Sequence, residues 1–91
     1  MPRYVIEREI PGAGQLSPAE LRVISQKSVG VLREFAGGLT WLQTLIVDDK
    51  MYCIYDAPSP ELIHEHARCM GIPANVVSEI RATIDPGTAN T

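Results

Sequence analysis

The triplet His64-Glu65-His66 holds both histidines of the chain, and imidazole is the commonest metal ligand among side chains. On a helix, positions two apart point about 200° away from each other, so His64 and His66 cannot grip one ion together. His66 carries the stronger signal. It follows Leu62 and Ile63 and precedes Met70 at helical spacing, on or beside an apolar stripe, and Cys69 lies three residues on. An imidazole and a thiolate so placed can share a soft or borderline metal such as nickel or zinc. Two ligands do not make a site, so the others must come from a sheet or from a second subunit. The plainer alternative is a core-edge histidine hydrogen-bonded to backbone, beside a cysteine acting as a small hydrophobe. His64, three after Glu61, belongs to a charged helix face of the kind that solvent satisfies.

Glu7 and Glu9 alternate along a strand-like segment and therefore share a face. They can supply hard oxygen ligands, or pair with Arg81 from the last strand as an ordinary salt bridge. Glu79 and Arg81 stand in the same relation to each other. Cys53 lies in Met51-Tyr52-Cys53-Ile54-Tyr55 and reads as core. Trp41 is placed to pack under a helix or to line a pocket. There is no glycine-rich phosphate loop, no Gly-x-Ser-x-Gly elbow and no Cys-x-x-Cys pair. Catalysis, if any, would rest on a pocket and not on a motif.

These residues must be positioned by a small frame. The chain has 91 residues, which suits one domain over residues 1–91. With 45% hydrophobic and 21% charged residues, its composition is that of a folded globular protein. A net charge of −3 with scattered Lys and Arg excludes nucleic acid as the main partner and anionic membrane as an anchor. The first residues run straight into a strand pattern with no secretory core, and no apolar run is long enough to span a bilayer. Two cysteines do not form a disulfide framework. A cytoplasmic protein with reduced thiols is expected.

Residues 3–10 alternate, with Tyr4, Ile6 and Ile10 on one face and Val5, Glu7 and Glu9 on the other, which predicts a strand. Ser17-Pro18-Ala19-Glu20 is a capping-box helix start. Leu21, Ile24, Ser28, Val31, Leu32 and Phe35 continue it as one stripe until Gly37-Gly38. Residues 39–47 and 51–55 flank a tight Asp48-Asp49-Lys50 turn and predict a hairpin. Ser59-Pro60-Glu61 opens a second helix with a cap, and Gly71 and Pro73 close it. Residues 76–84 alternate as a final strand, and residues 86–91 read as a frayed tail.

The order is β-α-β-β-α-β, an α+β ferredoxin-like fold. Two right-handed crossings interlock into a four-stranded antiparallel sheet, with both helices on one face. The first and third strands are central, and the fourth lies beside the first. The free sheet face carries apolar groups that need cover, and a homodimer of the α/β-barrel type supplies it.

The segments 2–9, 47–55 and 65–74 resemble a family of small bacterial proteins described as nickel-binding or nickel-responsive, over nearly the whole chain. The resemblance implies a ferredoxin-like fold, a homodimer and nickel binding. Glu65, His66 and Ala67, followed by Gly71 and Pro73, match the family pattern at the second helix, and Cys53 matches its Tyr-Cys strand pattern. Cys69 and Met70 stand where close relatives are expected to carry Arg or Gln and Gly, so Cys69 as a ligand would be peculiar to this chain. The wider dimeric α/β-barrel superfamily is also similar. It includes cofactor-independent monooxygenases and proteins that hold haem through a second-helix histidine. By that likeness His66 would face a haem or small-molecule pocket walled by Trp41 and Tyr55, with Glu79 or Arg81 as polar handles. The reading that unites these observations is a non-catalytic homodimer that binds nickel, with zinc as the alternative ion. His66 is its main ligand, and Glu7, Glu9, Cys53 or Cys69 are companions.

Overall fold

The computed structural model describes residues 1–35 and 38–91. Four strands, β1 (Arg3–Glu9), β2 (Thr40–Ile46), β3 (Lys50–Asp56) and β4 (Val76–Glu79), form one antiparallel sheet in the order β2-β3-β1-β4. Two helices, α1 (Pro18–Leu32) and α2 (Pro60–Met70), complete the expected α+β ferredoxin-like order.

Helix α1 begins as its sequence dictates. Ser17 Oγ accepts from the Glu20 amide and Glu20 Oε1 accepts from the Ser17 amide, each at 3.1 Å. The bond from the Ser17 backbone holds the Glu20 carboxyl below its ordinary pKa. A short 3-10 turn, Arg33–Phe35, extends the helix. Of the expected Gly37-Gly38 stop, Gly37 lies outside the described residues. Ser59 occupies the N-cap position of α2, but its side chain makes no cap hydrogen bond, contrary to expectation. Pro60 and the acid Glu61 start that helix without it. Gly71 ends it at φ +71°, a left-handed conformation that only glycine adopts without penalty.

Strand β4 is shorter than its alternation predicts. Its pairing with β1 runs from Val76 opposite Glu7 to Glu79 opposite Tyr4, and the Ile80 amide then bonds the Arg3 carbonyl at 2.7 Å. The ladder ends there, and residues 80–84 leave the sheet. Ile84 is left 79% exposed. Asp85 then caps a solvent-exposed 3-10 turn, Pro86–Asn90.

Register decides what each sheet face carries. Tyr4, Ile6 and Arg8 of β1 alternate inward, with Tyr55, Cys53 and Met51 opposite them on β3. On β2 a bulge between Trp41 and Gln43 keeps Trp41, Thr44 and Ile46 aligned with the same three β3 residues. The buried core joins these strand residues to Ile63 of α2, Leu39, Ala13 and Ala57. The opposite face presents Val5, Ile54, Tyr52, Leu45 and Val76, and Leu45 and Val76 are largely exposed. Among the described residues, no helix is long and apolar enough to cross a membrane.

Candidate functional site

Helix α2 separates its two histidines as helical geometry requires. His64 is exposed, whereas His66 is 1% exposed and packs into the core. The His66 ring lies 5.5 Å from Phe35 in an edge-on arrangement and 5.5 Å from Tyr55 in a tilted one. Its Nε2 is buried with no hydrogen-bond partner among the described residues. Burial, and then the nearby Arg8 cation, push its pKa below the ordinary 6.5. The ring is therefore held neutral, the form able to donate a lone pair.

The other candidate ligands are dispersed. Cys69 is exposed, on the solvent side of α2. Glu7 accepts from Lys50 Nζ at 2.7 Å, and Glu9 is engaged with Asn75, whose Oδ1 takes the Glu9 amide at 2.7 Å. The expected pairing of either acid with Arg81 does not form. Arg81 instead binds Glu79 at 3.0 Å, because β4 ends before Arg81 can reach the sheet. Among the described residues, no group of three or more His, Cys, Asp or Glu side chains converges as a metal site.

Cys53 lies in the core, as expected, and belongs to a polar network that the sequence reading missed. Trp41 Nε1 donates to Thr44 Oγ1 at 2.9 Å, and Thr44 Oγ1 donates to Cys53 Sγ at 3.2 Å. Arg8 Nε donates to the same sulfur at 3.3 Å. Arg8 is 0% exposed, the largest fully buried side chain among the described residues. Its Nη1 donates to the Pro73 carbonyl at 2.7 Å, and its Nη2 has no partner among the described residues. Desolvation, with Cys53 beside it, pushes the Tyr55 phenol above its ordinary pKa, while Ser28 and Arg8 pull it down. The signal for Arg8 was available: it shares the parity of Tyr4 and Ile6, so alternation alone turns it inward. Its charge is what makes that position look like a surface one.

These residues border a cavity of about 160 Å³ between α1 and the inner face of the sheet. Arg8, Ser28, Trp41, Thr44, Cys53 and Tyr55 supply its polar and aromatic lining. Trp41 and Tyr55 line this cavity, but His66, which the superfamily likeness places facing the same pocket, does not. Glu79 and Arg81 are not part of the lining.

A family model described as nickel responsive protein SCO4226-like matches residues 4–80. Among solved structures, the crystal structure of SCO4226 from Streptomyces coelicolor A3(2) superposes with a TM-score of 0.74 at 16% sequence identity. The match covers 90% of this chain and 99% of that one. No curated protein matches. At that identity the superposition speaks for the fold.

Proposed function

The chain belongs to the SCO4226-like family of nickel-responsive proteins, and from that premise we propose that it binds nickel non-catalytically, as a cytoplasmic homodimer, with His66 as the anchoring ligand. The observation that supports this reading is the buried, neutral imidazole with an unpartnered Nε2. A nitrogen that folding leaves without a hydrogen bond is destabilised until something occupies it. Nickel accepts imidazole well.

The same surroundings limit the rest of the ligand set. Arg8 disfavours a proton on His66, and it would repel a dication in the same way. The ion must therefore bring or recruit anionic ligands. Cys53 is the other buried candidate, and Arg8 and Thr44 both point donors at its sulfur. Glu7, Glu9 and Cys69 are turned to solvent or engaged elsewhere, and they reach a metal only if a second copy or a rearrangement brings them. Haem is a poor fit. A cavity of about 160 Å³ is close to the volume that accommodates one benzene molecule, about 150 Å³, far short of a macrocycle. Free Cys53 and Cys69 suit a reducing compartment. The apolar outer sheet face suits a second copy of the chain.

Calorimetric titration of chelator-treated protein with nickel, with zinc as the competing ion, tests the reading. Saturable nickel binding is expected in the wild type, with its loss in His66→Ala and in the volume-keeping His66→Phe, both still folded by circular dichroism. Binding at full stoichiometry in either folded variant would refute the assignment. Sedimentation of the same samples reports whether the chain is a dimer.

A further inference from the structure

Arg8 is a permanent cation in the protein interior. A guanidinium cannot shed its proton as a buried lysine can, and buried charges are otherwise paired with an opposite charge. Its two partners, the Cys53 sulfur and the Pro73 carbonyl, are acceptors on nominally neutral groups. No carboxylate among the described residues forms an ion pair with it. Nη2 has no acceptor among the described residues, and Arg8 lines the cavity beneath α1. The remaining walls are mostly apolar, with Leu21, Ile24, Ile46, Met51 and Met70 among them. Ile24 and Ile46 are 38% and 37% exposed, so the cavity has an edge on solvent between α1 and β2.

We propose that this cavity binds a small organic carboxylate, with the Arg8 guanidinium as the charge partner and an apolar body of one six-membered ring held by the aliphatic walls and Trp41. The size follows from the volume, since an engineered cavity of about 150 Å³ admits benzene. The charge follows from Arg8, for which a carboxylate provides an acceptor in the planar geometry a guanidinium prefers. Tyr55 and Ser28, both in the lining, add hydroxyls that can donate to the second oxygen. Burial keeps the Tyr55 phenol protonated, and thus a donor. A neutral ring of the same size would fill the walls and leave Nη2 unanswered.

The sole tryptophan, Trp41, lines the cavity and reports on it directly. Its fluorescence is followed in low-salt buffer containing EDTA, so that nickel plays no part, while benzoate, benzyl alcohol or inorganic phosphate is added. Benzoate is expected to saturate the signal at a concentration at least tenfold lower than benzyl alcohol does, and phosphate to give no saturable change. In Arg8→Met the benzoate preference disappears. In Ser28→Met, which fills the cavity and leaves Arg8 in place, benzoate no longer binds although the protein melts cooperatively. Equal binding of benzoate and benzyl alcohol by the wild type overturns the proposal, as does competition by phosphate at benzoate's concentration. Absence of any saturable signal, or a benzoate preference that survives in Arg8→Met, also overturns it. None of these outcomes bears on whether His66 takes nickel.

Discussion

Replacing Arg8 by methionine should leave the free protein as stable as before or make it more stable, by 0 to about 2 kcal/mol. The balance can be worked from the contacts. The substitution removes the Nη1 bond to the Pro73 carbonyl, at 2.7 Å a short one, and a charge-assisted bond of that kind contributes about 1.5–3 kcal/mol. The Nε contact to the Cys53 sulfur at 3.3 Å is weaker, and Thr44 continues to serve that sulfur. Pro73 is exposed, so its carbonyl can turn to water and is not stranded. Against these losses stands the desolvation of an ion with no counter-charge, several kcal/mol after relaxation. The aliphatic stem is replaced by one of similar length, so packing is largely kept. Arg8→Lys is the contrasting perturbation: it keeps the charge and gives up the fork, and should be the least stable of the three proteins. Thermal unfolding at pH 7.5 without added organic acids gives the order, since a shift of about 1 kcal/mol moves the melting temperature of a domain this size by about 4–8 °C. A clear loss of stability in Arg8→Met would refute the reasoning, because it would mean that the cation is already compensated within the fold.

His66 makes stability depend on pH in a defined direction. Its pKa in the folded protein lies below the ordinary 6.5, so between those two values the unfolded chain binds one proton more. Stability therefore falls as pH drops below about 6.5, by at most about 1.4 kcal/mol per pH unit, and the fall ends at the folded-state pKa. Urea midpoints between pH 7.5 and 5 should show this slope in the wild type and lose it in His66→Phe; an unchanged slope in the variant would assign it to other groups. The two helix starts give a matched pair. Ser17→Ala removes a closed capping box and should cost about 0.5–2 kcal/mol. Ser59→Ala removes a side chain with no cap bond and should move the midpoint little, so equal effects from the two would contradict the cap geometry.

Most of the frame was legible because it rests on local rules. Ser17, Pro18 and Glu20 announce α1, and the Asp48-Asp49 turn announces the hairpin, because capping and turn chemistry are decided within a few residues. The neighbours of β1 followed from the ferredoxin-like order. The length of β4 was not legible from its own alternation, because a strand ends where its partner does. Here the last bond is from the Ile80 amide to the Arg3 carbonyl, 77 positions away in the chain. The Glu7–Lys50 pair was missed for a related reason: it depends on the register between β1 and β3, which places Tyr52 opposite Glu7 and Lys50 opposite Glu9. Arg8 was hidden by its charge. Residue type says surface and strand parity says core, and parity prevails because Tyr4 and Ile6 fix the face for the whole strand.

The register also assigns the two sheet faces different work. Toward solvent, the Arg3–Asp56 ion pair sits at one end of the β1–β3 ladder and the Lys50–Glu7 pair toward the other, with Val5 and Ile54 between them. Isolated surface pairs add little to stability, but charges at the margins of an apolar patch limit what can dock on it and in which orientation. Toward the helices, the same two strands carry Arg8, Cys53 and Tyr55, the residues that give the cavity its polarity. A second copy seated on the outer face would thus leave the cavity edge between α1 and β2 uncovered. The proposed dimer face and the proposed ligand entry thus lie on opposite sides of one sheet, and a change on the outer face, such as Leu45→Lys, would reach the cavity through the backbone of β2. The chemistry proposed for Arg8 is for that reason a property of the single chain.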